Sequence, residues 1–230
     1  MNIVIIGGSR GIGKAAAKEL LKDGHRLLLT GRNRKTLEEM QVEYGDEIDI
    51  LPLDITAENA AKQLSEHMEK ESFTVDGLIL NAAMFPQKET QCSVILPTAE
   101  ELEKMLYANV VSNYRLVQQL LPQMKQGSRV VIIGSTSGVR QDKGGIYGIS
   151  KWALRSYAYN LREECKTHGI GVSLIHPGGT FTETRKKQMP EDTSLLETSD
   201  LGILIATLFR LSPQAVVEEL CVRPLTGDTY

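Results

Sequence analysis

The sequence predicts an α/β fold, a single doubly wound domain over residues 1–230 with a parallel sheet of about seven strands and helices on both faces. Short aliphatic runs alternate with longer segments of helical periodicity along the whole chain. The first run, at residues 3–6, is Ile-Val-Ile-Ile, as expected for a strand that is covered on both faces. A chain of 230 residues with 41% hydrophobic residues can also bury one large core.

The expected elements alternate between strands and helices. Strands are expected at residues 2–6, 26–30, 49–53, 77–80, 129–133, 171–176 and 216–222. Helices are expected at residues 14–22, 58–70, 98–124, 147–166 and 198–211. Thr98 and Glu101 form a capping box that opens the third helix, and residues 198–200 should cap the last one. The polar stretch around residues 183–199 is interpreted as a mobile substrate lid, although a merely solvated loop would look identical.

Charge and cysteine content restrict the partners and the compartment. A net charge of −3 gives no reason to expect nucleic acid or a membrane surface as a partner. The longest apolar run, residues 202–209, is far too short to span a bilayer. Cys92, Cys165 and Cys221 lie far apart with no CxxC pair, which predicts reduced thiols and no metal site. Because the first strand begins directly after Met1, we expect no signal peptide and a cytoplasmic location.

A glycine-rich turn joins the first strand to the first helix. Without side chains there, the backbone can approach a pyrophosphate closely, and the helix N-terminus offers unpaired N–H groups and a positive dipole end. A tight turn without a ligand would also use glycines, but three of them directly after a buried strand favour a dinucleotide site. The residues expected to contact it are Gly7, Ser9, Arg10, Gly11, Ile12 and Gly13.

The end of the second strand distinguishes NAD from NADP. An NAD site usually carries an Asp or Glu here for the ribose 2′-hydroxyl, and this chain has Gly31. Two nearby arginines without an acid suit a 2′-phosphate, although either arginine alone is equally well explained as a solvated loop residue. We therefore expect NADP. The residues expected around its adenosine half are Arg10, Arg32, Asn33, Asp54 and Ile55.

A phenol and an ammonium are placed for proton transfer near residue 150. Tyr147 and Lys151 are four residues apart and share one face of the expected helix. The cation should favour the phenolate and lower a phenol pKa that is normally ~10. Ser135 follows the strand at residues 129–133, where its hydroxyl could meet the same substrate oxygen. An ordinary Tyr and Lys on a helix surface would show the same spacing, so this pair alone is a weak signal.

Two further positions carry candidate site residues. Asn81, Ala82 and Ala83 follow the fourth strand and are small residues that let a cofactor lie close. Asn109 falls in the middle of the helix at residues 98–124, where propensity disfavours Asn. It is either a solvated accident or a deliberately placed polar group.

With these residues placed, the chain resembles the short-chain dehydrogenase/reductase family over nearly its whole length. The family's glycine motif is matched at residues 6–13 and its Asn-Ala-Gly motif at residues 81–83. Its catalytic tetrad is matched by Asn109, Ser135, Tyr147 and Lys151, which favours function for the first of these. Its Pro-Gly turn and the cofactor contacts after it are matched by Pro177, Gly178, Thr180 and Thr182.

Three positions depart from the family pattern. Ile6 replaces a Thr whose hydroxyl ties the glycine loop to a neighbouring strand, and Ala83 replaces a Gly. The C-terminus lacks the Asp-Gly-Gly ending that is common in 3-oxoacyl-carrier-protein reductases of this family, which weakens an assignment to fatty-acid synthesis.

The resemblance implies a Rossmann-like oxidoreductase that uses NADPH to reduce a ketone, aldehyde or 3-oxoacyl carbonyl to an alcohol. Tyr147 would donate the proton, Lys151 would hold the nicotinamide ribose, and Ser135 would orient the carbonyl. Asn109 would position a water in the proton relay. The alternative is a non-catalytic NADP-binding sensor, which would not need an intact tetrad.

The resemblance also implies a homodimer or homotetramer that acts on a small carbonyl or alcohol. The helical segments around residues 109–124 and 147–166 carry apolar residues on more than one face, namely Leu116, Leu120, Trp152, Tyr157 and Leu161. One face would cover the sheet, and the other needs a partner. An apolar substrate pocket is expected from Met84, Phe85, Val139, Ile146 and Phe181. Three cations could hold a substrate carboxylate or be only solvated, and they are Arg140, Lys143 and Arg185.

Overall fold

The computed structural model describes residues 1–86, 93–140, 144–183 and 195–227. In these ranges the chain forms a seven-stranded sheet, parallel throughout, in the order β3-β2-β1-β4-β5-β6-β7. The strands are β1 Asn2–Ile6, β2 Arg26–Gly31, β3 Ile48–Pro52, β4 Gly77–Leu80, β5 Arg129–Ile133, β6 Gly171–Pro177 and β7 Glu219–Val222. The strand order reverses between β1 and β4, as in a doubly wound sheet. The predicted fold class is confirmed.

Helices cover both faces of the sheet. They are α1 Gly11–Lys22, α2 Arg34–Tyr44, α3 Ala60–Lys70, α4 Ala99–Leu106, α5 Ser112–Leu120, α6 Gly145–Lys166 and α7 Thr198–Arg210. Buried residues of α1, α2 and α7 form one half of the core with one face of the sheet. Those of α3, α5 and α6 form the other half with the opposite face.

The alternation of β1 explains why the core has two halves. Ile3 and Ile5 belong to one half, whereas Val4 and Ile6 belong to the other. All four side chains are 0% exposed. Burial of an aliphatic side chain contributes about 1.5–3 kcal/mol, so β1 anchors the glycine loop that follows it.

Helix α2 was not expected from the sequence. Asn33 caps it, because its side-chain Oδ1 accepts a hydrogen bond from Thr36 N at 3.3 Å. Only Leu37 and Met40 of this helix are buried. Two apolar contacts on an otherwise polar segment give a weak periodic signal. The first helix also begins at Gly11, earlier than the expected residue 14.

The long helix expected at residues 98–124 is present, but it is not α-helical throughout. The capping box is present, since Thr98 Oγ1 accepts from Glu101 N at 3.2 Å and Glu101 Oε2 accepts from Thr98 N at 2.7 Å. However, a π-helical segment, Tyr107–Val111, separates α4 from α5. Such segments are rare and frequently occur at functional sites. The tetrad position Asn109 lies inside it.

The C-terminal elements also differ from expectation. Glu197 precedes α7, without a side-chain capping hydrogen bond, so the predicted cap at residues 198–200 is wrong. The last strand begins at residue 219 and not at 216. Before it, the buried guanidinium of Arg129 donates to the carbonyl oxygens of Leu211, Ser212 and Ala215. Because these carbonyl oxygens already accept hydrogen bonds from Arg129, residues 211–215 do not need to pair with a strand.

The apolar residues of the π segment, α5 and α6 divide between the core and the surface. Leu116, Leu120 and Leu161 are at most 5% exposed and pack in the α3–α5–α6 half of the core. The exposed apolar side chains of these elements are Val111, Tyr114, Ile149 and Trp152.

Candidate active site

The predicted site residues collect at the carboxyl edge of the sheet, around the point where the strand order reverses. The glycine loop follows β1, residues 81–86 follow β4, Ser135 follows β5, and the Pro-Gly turn ends β6. Ligands of doubly wound folds bind in this crevice.

The glycine loop lies too close to its neighbours for side chains. The N–H groups of Gly7 and Gly8 both donate to Thr30 O, at 3.0 and 2.9 Å. A Cβ atom on Gly13 would lie 2.1 Å from Gly7 O, and Gly11 has a φ of +54°. Only glycine lets α1 begin directly against the end of β1.

The N-terminus of α1 already holds an anionic group of the chain itself. The backbone N–H of Gly11 donates to Glu183 Oε2 at 3.0 Å. The carboxylate oxygen stands in for an oxygen of a phosphate at a helix N-terminus, where the dipole favours negative charge. The loop therefore fits the pyrophosphate of a dinucleotide.

The glycine at the end of β2 packs against Ser9 where an acid would otherwise stand. A Cβ atom on Gly31 would lie 2.8 Å from Ser9 Oγ, so an Asp or Glu here would displace the buried Ser9 side chain. Arg10 and Arg32 are exposed beside this point. Hydrogen bonds from Thr56, together with the weaker influence of Arg32, lower the pKa of Asp54.

The segment after β4 holds the glycine loop in place. Asn81 Nδ2 donates to Gly7 O at 2.7 Å, and the backbone N–H of Ala82 donates to Ile6 O at 2.9 Å. A Cβ atom on Gly7 would lie only 2.9 Å from Ala82 N. Asn81 thus holds the glycine loop in shape through its side chain. The sequence predicted only that the small residues at 81–83 let a cofactor lie close. The remaining predicted contact Ile55 packs against the core.

Three of the four tetrad residues lie together. Tyr147 and Ser135 form a side-chain hydrogen bond. Lys151 Nζ lies 5.6 Å from the centroid of the Tyr147 ring and donates to Ile133 O at 3.0 Å. Helix α6 begins at Gly145, so Tyr147 stands in its first turn and Lys151 one turn later.

Burial sets the protonation of this pair. It raises the pKa of Tyr147 well above 10, and the hydrogen bond with Ser135 opposes that rise only in part. It lowers the pKa of Lys151 to about 8. The expected depression of the phenol pKa by Lys151 is not found, because desolvation dominates while the ammonium is bonded to a strand carbonyl. The phenol therefore keeps its proton at neutral pH.

Asn109 is a buried, fully engaged side chain. Its Oδ1 accepts from Met84 N at 2.7 Å, and its Nδ2 donates to Met84 O and Ser150 Oγ, both at 3.0 Å. Asn113 Nδ2 donates to the backbone oxygen of Asn109 at 2.8 Å. The amide thus ties the π segment to the segment after β4 and to α6. Its role in positioning a relay water stays a prediction.

An aromatic side chain covers the phenol. Phe85 stacks on Tyr147 with ring centroids 5.1 Å apart and an interplanar angle of 25°, although Phe85 is 68% exposed. Met84 is also partly exposed beside it. Ile146, expected to line the pocket, is instead buried at 5% exposure because it faces inward from the first turn of α6.

The segment after β6 returns to pair with residues before α7. Phe181 N donates to Leu196 O at 2.8 Å, and Leu196 N donates to Gly179 O at 2.9 Å. The N–H of Gly178 donates to Val222 O at 2.7 Å, and Thr180 Oγ1 donates to Gly178 O at 2.9 Å. Thr182 contacts the glycine loop, since a Cβ atom on Gly11 would lie 3.3 Å from its methyl carbon.

Most of the expected lid, together with Lys143 and Arg185, lies outside the described residues. Glu183 and His176 make contacts in the site that the sequence did not predict. The latter directly precedes the Pro-Gly turn and contacts the backbone of Ser135 at 3.0 Å. A His at the carboxyl end of a buried strand was the available signal.

Neither a metal site nor a membrane span is found in the described part of the chain. Its His, Cys, Asp and Glu side chains form no group of three or more that could hold a metal ion. No helix in the same residues has the length and apolarity needed to cross a bilayer.

Comparisons with known proteins agree with this geometry. The family model described as short chain dehydrogenase matches residues 1–193. An uncharacterized oxidoreductase of Staphylococcus aureus is 27% identical over 228 residues, 96% of each chain. The NADP-dependent 3-hydroxy acid dehydrogenase of Escherichia coli is 27% identical over 181 residues, 77% of this chain and 72% of that protein.

Among solved structures, the RhlG/NADP active-site complex of Pseudomonas aeruginosa has the same fold. It superposes with a TM-score of 0.83 at 24% identity, covering 96% of this chain and 93% of that chain. The family match includes β1, β4, β5 and β6, the four strands whose carboxyl ends carry the site. The chain belongs to the short-chain dehydrogenase family.

Proposed function

We propose that this protein is an NADPH-dependent oxidoreductase that reduces a small ketone, aldehyde or 3-oxoacyl carbonyl to an alcohol, with Tyr147 as general acid. One observation carries the proposal. A protonated Tyr147 bonds to Ser135 and stands above Lys151, at the sheet edge where the glycine loop offers its N–H groups. A phenol, a hydroxyl and an ammonium in this order suit proton donation to a carbonyl oxygen.

The cofactor assignment rests on charge at the end of β2. Gly31 and the buried Ser9 leave no acid for a free ribose hydroxyl, and the exposed Arg10 and Arg32 suit a 2′-phosphate. When bound, NADPH supplies the hydride. Gly11 would bind its pyrophosphate once the Glu183 carboxylate has left the helix N-terminus, and Lys151 would bind the nicotinamide ribose.

The chain's own residues would handle the proton. The Tyr147 hydroxyl donates its proton to the carbonyl oxygen as that oxygen gains negative charge. The Ser135 hydroxyl gives up its hydrogen bond with the phenol and donates to the same carbonyl oxygen, which fixes the position of that oxygen. The protonated Lys151 stabilises the phenolate that is left behind. General acid catalysis of this kind contributes about 10²–10⁴-fold.

The surroundings of the phenol favour a substrate with an apolar part. The Phe85 ring, stacked on Tyr147, gives the approach to the hydroxyl an apolar wall. The similarity to a 3-hydroxy acid dehydrogenase makes 3-oxo acids and their esters sensible members of a first panel.

NADPH oxidation, followed by absorbance across a panel of ketones, aldehydes and 3-oxoesters, tests this function. We expect turnover of at least one class and none with the substrate omitted. Binding of NADPH without turnover of any class would contradict the enzyme assignment and favour a non-catalytic NADP-binding sensor. The absence of any NADPH binding would contradict both functions.

A further inference from the structure

A buried imidazole joins the catalytic serine to a carboxylate on the far edge of the sheet. His176 is the residue of β6 before Pro177, and its side chain is 0% exposed. Its Nε2 lies 2.7 Å from Glu219 Oε1. Its Nδ1 lies 3.0 Å from the backbone oxygen of Ser135 and 3.4 Å from the backbone nitrogen of Ser135. The ring therefore contacts both the backbone donor and the backbone acceptor of one residue.

The carboxylate that meets the imidazole is held from a second direction. Glu219 lies on β7, beside β6, and accepts from Arg155 at 2.7 and 3.2 Å and from the Tyr159 hydroxyl at 2.7 Å. Both donors lie on α6, the helix that carries Tyr147. The cluster thus links the helix of the proposed acid to the serine after β5 through the two strands at the sheet edge.

The imidazole fits tightly against the turn that carries Ser135. A Cβ atom on Gly134 would lie 2.6 Å from His176 Nδ1, so the position before the serine has no room for a side chain. Ser135 itself begins a short 3₁₀ turn, and its Oγ accepts from Ser137 N at 3.1 Å. A shift of the ring against this backbone would be passed directly to the serine hydroxyl.

The proton on Nδ1 decides which atom of Ser135 the ring can hold. Glu219 needs a hydrogen on Nε2. In the neutral ring Nδ1 then has a lone pair, which accepts from the backbone N–H of Ser135. In the imidazolium form Nδ1 carries a hydrogen, which donates to the backbone oxygen. The two states hold different backbone groups of the same residue, which belong to two successive peptide units.

The charged groups around the ring leave both states within reach. Among the described residues these are Glu219 on β7, which contacts the ring directly, and Arg155 and Tyr159 on α6, which reach it through that carboxylate. Burial lowers the pKa of His176, while the hydrogen bonds with Glu219 and Ser135 raise it. Desolvation raises the pKa of Glu219, but Arg155, Tyr159 and His176 hold it at about 2, so the carboxylate stays charged.

We propose that His176, oriented by Glu219, is a positioning residue for Ser135, and that gain or loss of its Nδ1 proton switches which backbone atom of Ser135 it holds. The inference rests on the proposed function, because it assigns the switch to the hydroxyl that would orient the carbonyl. The neutral ring is the form that positions Ser135 for turnover, and protonation displaces it.

Two amide substitutions separate the two contacts of the ring. An Asn amide can occupy the place of Nδ1 and keep the contact with Ser135, whereas a Gln amide reaches the place of Nε2 and keeps Glu219. We expect His176→Gln to lower kcat about tenfold with the NADPH Kd within about twofold of wild type, since a small misplacement of a catalytic group is costly. His176→Asn should recover most of kcat. Equal or better recovery by Gln would overturn the proposal.

The pH profile gives a readout that a merely structural role would not move. In the wild type, kcat should fall on the acid side of the profile, at a pH below the ordinary histidine pKa of about 6.5, because burial lowers the pKa of His176. In His176→Asn this part of the profile should be flat. His67→Asn is a matched control, because His67 pairs with Asp49 at 3.0 Å without touching the site. A loss of kcat in the control as large as in His176→Gln, or an unchanged acid limb in His176→Asn, would contradict the switch.

Imidazole ¹⁵N NMR tests the ring without any turnover. The chain has four histidines, and the signals missing from His176→Asn identify the ring in question. At pH 8 we expect a neutral ring with its hydrogen on Nε2. A hydrogen on Nδ1 at that pH would overturn the proposal even if the variants lose activity. Wild-type protein that reduces no carbonyl would refute the proposed function. The NMR experiment would still report whether His176 Nδ1 gains a proton and so changes the backbone atom of Ser135 that it contacts.

Discussion

Burial, more than sequence spacing, sets the chemistry of Tyr147 and Lys151. It raises the phenol pKa and lowers that of Lys151 to about 8, so both groups are protonated at pH 7. An acid with a raised pKa keeps its proton until charge develops on the substrate oxygen. From the sequence we expected the opposite direction for the phenol, because the spacing of two residues contains no information on desolvation.

Cofactor choice is a prediction at the residue scale. NADPH should be preferred over NADH by ~10²-fold in kcat/KM, because two charge-assisted contacts of ~1.5–3 kcal/mol each are weakened by solvent at an open site. Arg32→Asp should remove most of that preference. Arg34→Asp, an exposed neighbour at the start of α2, is the matched control and should change the ratio less than about threefold. Equal kcat/KM values for the two cofactors in the wild type would show both arginines to be ordinary solvated residues.

Glu183 gives a second prediction at this scale. Its carboxylate accepts from Gly11 N and must leave before a pyrophosphate can bind there. Glu183→Gln removes a competing charge and should lower the NADPH Kd about three- to tenfold, since a hydrogen bond to a charged group contributes ~1.5–3 kcal/mol before screening. Calorimetric titration measures it. Glu197→Gln, an exposed carboxylate before α7, controls for net charge and should leave the Kd unchanged. An unchanged or weaker affinity in Glu183→Gln would contradict the competition.

At the scale of elements, the π segment decides where a polar group enters the core. It places Asn109 against the segment after β4, where its amide satisfies both backbone groups of Met84. An irregular helix inside a periodic pattern has no sequence signature that we could read. The only visible sign in the sequence was an Asn in mid-helix. The resemblance to the family favoured a functional role for this Asn over a solvated accident.

Replacement of Asn109 tests this tie. Asn109→Ala removes the buried amide that bonds to the N–H and C=O of Met84 and should destabilise the fold by about 1–3 kcal/mol. Urea unfolding provides the measurement. Asn160→Ala on the exposed face of α6 removes one hydrogen bond to Ser156 O and should stay within about 0.5 kcal/mol of wild type. Equal effects of the two substitutions would show that Asn109 is a solvated accident.

The strands were predictable from the sequence, but several helix boundaries were not. Buried parallel strands appear as unbroken aliphatic runs such as residues 3–6. Only the edge strand β7 was misplaced by more than one residue. Only Leu37 and Met40 of helix α2 are buried in the core, so its apolar periodicity cannot be recognised among the surrounding charged residues. The contacts of His176 and Glu183 join residues far apart in the chain, and no local pattern indicates them.

At the scale of the whole molecule, a stripe of apolar side chains on the helices lies outside the core, apart from the exposed residues 94–96 of the loop before α4. Val111, Tyr114, Ile149 and Trp152 are at least 37% exposed on the π segment, α5 and α6. We predict that this stripe pairs two subunits in a homodimer or homotetramer. Light scattering at micromolar concentration should give at least twice the monomer mass, and Tyr114→Glu with Trp152→Glu should lower it. A monomeric mass for the wild type would contradict this prediction.

The central claim is that Tyr147 gives the proton while the rest of the site holds the cofactor. The most direct test compares wild type with Tyr147→Phe in kcat and in NADPH Kd, using the carbonyl that the wild type reduces fastest. The ring of the variant can still pack under Phe85, so the account predicts an NADPH Kd within about twofold and a kcat lower by at least about 10²-fold, the lower range for general acid catalysis. A variant that keeps more than about a tenth of wild-type kcat, with NADPH bound normally, would show that the proton comes from another group.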